Sequence, residues 1–538
     1  MSACLQVTYK RLKETLGALT AVSNVSGSDA PAAALVSVLF GTREPRFVQP
    51  GPSWTPFNNG LDDSQRAAVS LALAAKDIAL VHGPPGTGKT TAVVEIIRQE
   101  VKRGSRVLAV AASNIAVDNL VERLAAGTGA AKLRVVRMGH PARLLPQVLD
   151  NSLEAHVLRS DNSSLAKDCR KEMKSLNCQL MRLENWKRAE RRQVQGELRK
   201  LAKEERKRQQ AAIVEVLKSA QVVTATLTGA LHHSLEGSVF DVVVIDEAAQ
   251  ALEAACWGAL LKAPRCVLAG DHLQLPPTII SDIAARRGLA RTLFERIQDL
   301  YGAGVSQMLN VQYRMNKAIM QWSSDELYDG HLTAHNSVAE HCLADLLTEA
   351  PAAKSKKPAK VPSTNTGSSV SKPFLPVLLL IDTTGCGFEE QQEEEGDSRT
   401  NLGEAKAVIA HVERLIAAGI APESIGIITP YNAQVALLKE LRPDSVAKAL
   451  EVSSVDGFQG REKEAIVISA VRCNAAQQVG FLADRRRMNV AVTRARRHCA
   501  IVCDTETLSG GDPFLGRLVS YFEQHGEYIS AAELVSEA

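Results

Sequence analysis

Residues 81 to 91 read Val81-His82-Gly83-Pro84-Pro85-Gly86-Thr87-Gly88-Lys89-Thr90-Thr91. Spaced glycines followed by a lysine and two hydroxyls are the residue types that grip a polyphosphate. Gly83, Gly86 and Gly88 let backbone N–H groups turn inward round an anion, because glycine reaches positive φ at little cost. Lys89 brings a mobile cation to the β and γ phosphates of a nucleoside triphosphate, and Thr90 brings a hydroxyl for Mg2+. Pro84, Pro85, Thr87 and Thr91 complete the loop. The plain alternative is a Gly/Pro turn that matches the pattern by chance. The flanks argue against it. An apolar run, Ile78 to Val81, precedes the loop, and Val93, Val94, Ile96 and Ile97 follow at helical spacing, giving strand, loop and helix in the order required. A helix that starts at the loop adds its dipole and unpaired amides to the same site.

A second chemistry-bearing stretch follows the apolar run Asp241 to Ile245, which delivers Asp246-Glu247-Ala248-Ala249-Gln250. Alone, such a pair of acids is an ordinary helix start. After a phosphate loop it suits a Mg2+-dependent hydrolase, with Asp246 holding the metal shell and Glu247 polarising the attacking water. Gln274, in Asp271-His272-Leu273-Gln274-Leu275-Pro276-Pro277, is placed beyond a neighbouring strand to sense the γ-phosphate. Two arginine clusters lie further on, Gln312-Tyr313-Arg314-Met315 and Arg485 to Arg497. In a block without its own phosphate loop they read as arginine fingers, which stabilise a transferring phosphoryl group and contribute ~10³–10⁵ in rate.

The elements that must position these residues alternate. Strands are expected at Asp77–Val81, Arg106–Ala111, Leu133–Val136, Gln221–Thr226, Asp241–Ile245 and Arg265–Gly270. Helices follow the loop and Ser113. Continuous apolar strands between helices predict an α/β fold with parallel sheets covered on both faces. Asp62, Asp63 and Gln65 suit a helix start just before the first strand. A second α/β block begins near Tyr301, with strands at Val377–Ile381, Ile425–Ile428, Ala465–Val471 and His498–Cys503. The expected partition is residues 1–60 as an N-terminal segment, 61–300 and 301–527 as two domains, and 528–538 as a tail.

Residues 150–217 break the alternation. Between Leu165 and Gln210 there are 15 Lys/Arg against 7 Asp/Glu. Met173, Leu176, Leu180 and Leu183 step by three and four, as do Val194, Leu198 and Leu201, so a helical hairpin or stalk with one apolar seam is expected. Its basic exterior is either a solvated surface or a track along a nucleic-acid backbone. Residues 350–373, rich in Lys, Pro, Ser, Thr and Ala, read as a flexible surface insertion. Lys354-Ser355-Lys356-Lys357 within it is a linker stretch or a nuclear address. The acidic run Glu389 to Asp397 reads as a solvated loop.

Composition excludes several classes. The 538 residues are 45% hydrophobic and 23% charged, with a net charge of +3, as in soluble globular chains. Ten cysteines are scattered without zinc-knuckle spacing, and Cys499 and Cys503 read as core. The N-terminus is interrupted by Lys10, Arg11, Lys13 and Glu14, so it is no signal peptide, and no apolar run reaches membrane-spanning length. The expectation is a cytoplasmic protein, with a nuclear location also open, and no membrane partner.

Taken together and in order, these stretches resemble the motif set of the superfamily-one helicases. They include Gly83 to Thr91, Ser113 to Leu120, Asp246 to Gln250, Gly270 to Pro277, Gln312 to Met315, Ser454 to Glu462, and the arginines ending at Arg497. The likeness is to the branch containing the helicase of nonsense-mediated mRNA decay. Within it, Gly139 to Leu145 and Asp382 to Gly387 resemble the immunoglobulin-mu-binding group. The resemblance runs from about Thr8 to Glu527. It implies two tandem RecA-like domains with ATP and Mg2+ between them and single-stranded RNA or DNA across them, translocating 5′ to 3′. By motif, Gln65 reads adenine, Tyr313 stacks on the base and Glu462 contacts the ribose, while Arg314 and Arg494 are the fingers. Lys89, Asp246, Glu247 and Gln274 complete the catalytic set. Ser113, Asn114, Thr226, Thr228, Pro430, Tyr431 and Ser454 lie near the strand, where phosphate and sugar contacts position without reading sequence. Residues 150–217 match an inserted helical subdomain of the family.

Against that family, residues before Phe57 are expected to be a remnant of a stalk and β-barrel. The chain is also expected to be a short form, or an incompletely read gene, without the small nucleic-acid-binding domain and zinc finger of its relatives. The leading expectation is an ATP-dependent helicase acting as a monomer, with ribosome or transfer-RNA complexes among the partners that the resemblance implies. The alternative is an ATP-regulated nucleic-acid clamp that does not unwind.

Overall fold

The computed structural model describes residues 2–24, 32–126, 132–183, 187–348, 375–392 and 398–537. The chain divides into two compact units, one of Met1–Gly83, Gly88–His272 and Pro276–Leu309, the other of Pro84–Thr87, Leu273–Leu275 and Asn310–Ala538.

In the first unit, helices α1 (Ser2–Asn24), α2 (Ala33–Leu39) and α3 (Asp63–Ala74) precede strand β1 (Ile78–His82). Then come α4 (Lys89–Lys102), β2 (Val107–Ala111), α5 (Asn114–Ala125) and β3 (Val135–Arg137). After α6 (Leu153–Leu158), α7 (Asp161–Arg182) and α8 (Arg188–Ser219), the sheet resumes with β4 (Val222–Thr226), β5 (Val242–Asp246), α9 (Glu253–Leu260), β6 (Cys266–Gly270) and β7 (Ser306–Met308). Among the described residues the sheet has seven strands in the order β3-β4-β2-β5-β6-β1-β7, and every pair is parallel. Such a sheet must be covered on both faces. One face buries Leu80, Leu108, Val110, Val243 and Ile245 under α2, α8 and α9. The other buries Ala79, Val81, Ala109, Val242 and Val244 under α3, α4 and α5.

In the second unit β8 (Val311–Gln312) and β9 (Thr333–Ala334) form a small parallel pair, and β10 (Leu378–Asp382) opens the main sheet. A short antiparallel pair, β11 (Gln391–Gln392) and β12 (Arg399–Thr400), is followed by β13 (Ile425–Thr429), β14 (Glu451–Ser454), β15 (Lys463–Ser469), β16 (Ala495–Cys503) and β17 (Glu527–Ser530). The order β14-β13-β15-β16-β10-β17 is again parallel throughout. The expected fold class, two parallel-sheet RecA-like domains with a basic helical insertion in the first, is the observed one.

The expected boundaries differ in three places. Residues 1–60 are not a body apart. Leu35, Val36, Val38 and Leu39 of α2 are buried in the first core, and Phe40 stacks on Trp257 with centroids 5.3 Å apart. The second block does not begin at Tyr301, because β7 pairs with β1 through Leu80↔Ser306 and His82↔Met308. Residues 528–537 are no tail either. β17 pairs with β10, and Ala531 and Leu534 enter the second core. In each case a few apolar residues complete a core formed by distant chain, a signal too short to stand out locally.

The insertion is an antiparallel hairpin. Arg170 meets Glu205, and Asn162 Nδ2 donates to Glu215 Oε2 at 2.7 Å. Its seam residues are half-buried apart from fully buried Val194, as two unsupported helices allow. The linker at 350–373 and Lys354–Lys357 fall outside the described residues. Of the acidic run, Glu390 is not a solvated side chain: it is buried against Arg399 and Arg472.

Candidate nucleotide and nucleic-acid sites

Around the first sheet the candidate residues gather at the carboxyl ends of the parallel strands, where open α/β sheets bind ligands. β1 ends at His82, and the loop closes where Gly88 caps α4 in the left-handed region at φ +71°. Gly86 sits at φ +76°. A Cβ on Gly83 would lie 2.7 Å from the Lys89 side chain, so glycine there is what lets the lysine stem fold back along the loop. Thr87 Oγ donates to the Pro84 carbonyl at 2.8 Å, fixing the turn between them. Gln65, capped by Asp62 at the start of α3, is buried and faces Gly88. Thr90 and Thr91 are half-buried on the first turn of α4, with Thr91 Oγ accepting from Arg123 at 3.1 Å.

β5 brings Asp246 and Glu247 to the same edge, two strands from β1. Lys89 Nζ donates to Glu247 Oε2 at 2.6 Å. Burial alone would lower the lysine pKa, but Glu247, Asp246 and Asp271 outweigh it and hold the ammonium above its ordinary value. Burial and the Glu247 charge push Asp246 up to about 6, against the pull of Lys89. Glu247 takes φ +53°, rare for a residue with a Cβ, and such strain clusters at functional sites. β6 adds a brace that no motif spacing marks: His82 Nε2 lies 3.0 Å from Asp271 Oδ1, tying the root of the loop to the next strand end. Gln274 is half-buried on the loop that follows β6. A glycine cradle, a lysine whose side chain is 10% exposed and two strand-end carboxylates fit a polyphosphate with a divalent cation.

The first-unit candidates for nucleic acid lie on the same edge. Ala111 and Thr226 are in register on β2 and β4, so Ser113, Asn114, Thr226 and Thr228 come together just beyond them. Ser113 caps α5 by accepting from Ala116 N, and Thr226 Oγ accepts from Gly229 N at 3.1 Å. Asn114 is held by Arg137, a fully buried guanidinium that also pairs with Asp118 at 2.7 Å. That pair sits between residues 19 apart, at no recognisable motif spacing.

In the second unit the two sets separate. Thr429 and Ser454 are in register, so Pro430, Tyr431 and Ser454 lie at the carboxyl ends of β13 and β14. Lys463 and Ala495 are in register at the amino ends of β15 and β16, which brings Glu462 and Arg494 together at the opposite edge. Arg314 donates to Glu462 there and, at 3.2 Å, to the Thr493 carbonyl. Arg494 is 2% exposed and donates to the carbonyls of Val490 and Arg461. Tyr313 packs on His335, with ring centroids 4.7 Å apart. Tyr431 is only 3% exposed. The resemblance implies a place near the strand for it, but its ring is covered.

A protein-family model described as an AAA domain matches residues 60–282, and a second so described matches residues 289–506. The DNA polymerase alpha-associated DNA helicase A of Saccharomyces cerevisiae is 34% identical over 97% of this chain and 76% of its own length. That of Schizosaccharomyces pombe is 38% identical over 87% and 67%. The chain belongs to the superfamily-one helicases. The DNA-binding protein SMUBP-2 of Mesocricetus auratus is 48% identical over 99% of this chain and 51% of its own length, so the chain spans about half the length of that relative. The Regulator of nonsense transcripts 1 homologue of Arabidopsis thaliana is 34% identical over 86% of this chain and 34% of its own length. No helix among the described residues is long and apolar enough to cross a membrane.

Proposed function

We propose that this chain is an ATP-driven helicase that moves 5′ to 3′ along single-stranded RNA or DNA. The observation that carries the reading is the loop from Gly83 to Lys89 with the Lys89–Glu247 pair at its mouth and Asp246 beside it. Thr90 and Asp246 would hold Mg2+, which would supply charge neutralisation at the phosphates. Lys89 leaves Glu247 for the β and γ phosphates, which frees that carboxylate to accept a proton from water. Water oxygen then bonds to the γ-phosphorus, the bond to the β–γ bridging oxygen breaks, and ADP and phosphate leave. Arg314 and Arg494 are the arginines that offset charge on the transferring group, and Gln274 senses it. Gln65, Tyr313 and Glu462 hold the base and ribose.

Grip on the strand falls to residues at strand carboxyl ends in both units: Ser113, Asn114, Thr226 and Thr228 in one, Pro430 and Ser454 in the other. The names of the relatives support nucleic acid as the track, one being a DNA-binding protein and another a DNA helicase. The test is steady-state ATP hydrolysis with and without single strands, beside Lys89→Ala and Arg494→Ala. Strand-stimulated hydrolysis is expected in the parent. Lys89→Ala should lose it with weakened nucleotide binding. Arg494→Ala should lose roughly 10³-fold or more in rate while still binding nucleotide. Hydrolysis that ignores single strands would sink the motor reading.

A further inference from the structure

The aromatic ring open to solvent near Ser454 is not Tyr431 but Phe481, which is 45% exposed. Its centroid lies 5.7 Å from that of Tyr431, with the rings inclined at 50°. The segment that presents it is built for the purpose. Gly480 turns at φ +55°, and a Cβ there would come within 2.3 Å of Arg472 Nη1 and 2.9 Å of the Tyr431 hydroxyl. Only glycine lets the chain press down on this pair. Arg472 is itself buried, held by Glu390 through bonds of 2.7 and 3.2 Å, and donates to the Tyr431 hydroxyl at 3.4 Å. A buried polar scaffold therefore fixes the base of the turn, while the phenyl ring is left outside the core.

Charge beside the ring is of the sign a phosphate backbone needs. The Arg487 guanidinium stands 5.3 Å from the Phe481 centroid, and its Nε is 3.6 Å from Asp456, two residues beyond Ser454. Ring, arginine and Ser454 thus form one patch at the carboxyl edge of the second sheet. We propose that Phe481 is a stacking platform for one base of the bound single strand, with Arg487 as the neighbouring cation. The assignment rests on the single-strand reading above and adds to it a contact with a base face. Stacking of this kind is tolerant of sequence, because every base has a π-face.

The test is equilibrium binding of a labelled oligothymidylate to the full chain, with the same strand carrying one abasic position moved along its length. Phe481→Ala should weaken binding roughly 5- to 100-fold, as removal of one stacked base does. It should also erase the penalty of the abasic position that matters most in the parent. Phe481→Trp should restore both, and Phe481→Leu, which keeps a folded apolar side chain, should not. The slope of log affinity against log salt should stay the same, since the number of neutralised phosphates does not change. Binding by Phe481→Ala and Phe481→Leu within about twofold of the parent, or a reduced salt slope in either, would overturn the platform. If the parent bound no single strand at all, the nucleic-acid reading itself would fall, and the platform with it.

Discussion

Glu404 shows what a single buried side chain contributes in this fold. It lies in the helix Leu402–Ala417, fully buried, and its carboxylate accepts from Val471 N at 2.8 and 2.9 Å and from the Ser469 hydroxyl. Val471 stands at φ +73°, a strained conformation for a β-branched residue, at the end of β15. Glu404 holds that turn, and Arg472, which follows, anchors Tyr431. Burial pushes the Glu404 pKa up from 4.5 to about 8, with the Ser469 and Val471 hydrogen bonds opposing. A raised carboxyl pKa gives stability that is complete below the unfolded value and is lost as pH climbs through the folded one. Between about pH 4.5 and 8 the unfolded chain releases a proton that the folded chain keeps. Glu404→Gln stays neutral and keeps an acceptor for Val471. Its stability relative to the parent should therefore rise with pH across that window by an amount of the order of a few kcal/mol. Urea unfolding of both proteins near either end checks this, and a pH-independent difference would refute it. No sequence pattern marks Glu404, because its partners are 65 and 67 residues away. Lys89 and Asp246 were legible because their neighbours in sequence carry the chemistry with them.

At the scale of elements, the strands were readable because both sheets are parallel and buried on both faces, which demands unbroken apolar runs such as Val107–Ala111 and Val242–Asp246. β17 is not legible in the sequence for the converse reason. It is an edge strand with only Ile529 turned to the core, and its pairing with β10 brings together residues about 150 apart in the chain. The hairpin of α7 and α8 was legible in its seam, but its charge carries two meanings in the sequence. Lys203, Arg206 and Lys207 are exposed on α8 and separate them. If the hairpin tracks a strand, replacing all three with Gln should lower the slope of log affinity against log salt by about 2, near 0.7 for each phosphate no longer neutralised. If the face is only solvated, affinity and slope should both stay at the parent values.

At the scale of the whole molecule, the two sheets use their edges differently. In the first, Lys89, Asp246, Ser113 and Thr226 all stand at carboxyl ends, so nucleotide and strand candidates share one edge. The Lys89–Glu247 pair therefore stands one strand from Ser113, since β2 pairs directly with β5. In the second sheet, Glu462, which accepts from Arg314, and Arg494 stand at amino ends while Pro430 and Ser454 stand at carboxyl ends. Any coupling there must travel the length of β13 to β16, through a core with no cheap way to deform. A motor changes its grip with nucleotide state and so advances along the strand, whereas a clamp only tightens and lets go. A tailed duplex decides between them. With ATP and Mg2+, release of the labelled strand is expected from a duplex carrying a 5′ single-stranded tail. It is not expected from one carrying a 3′ tail, nor from either with Lys89→Ala. Hydrolysis stimulated by both tails without strand release is the behaviour of a clamp, and would confine the role of this chain to ATP-dependent holding.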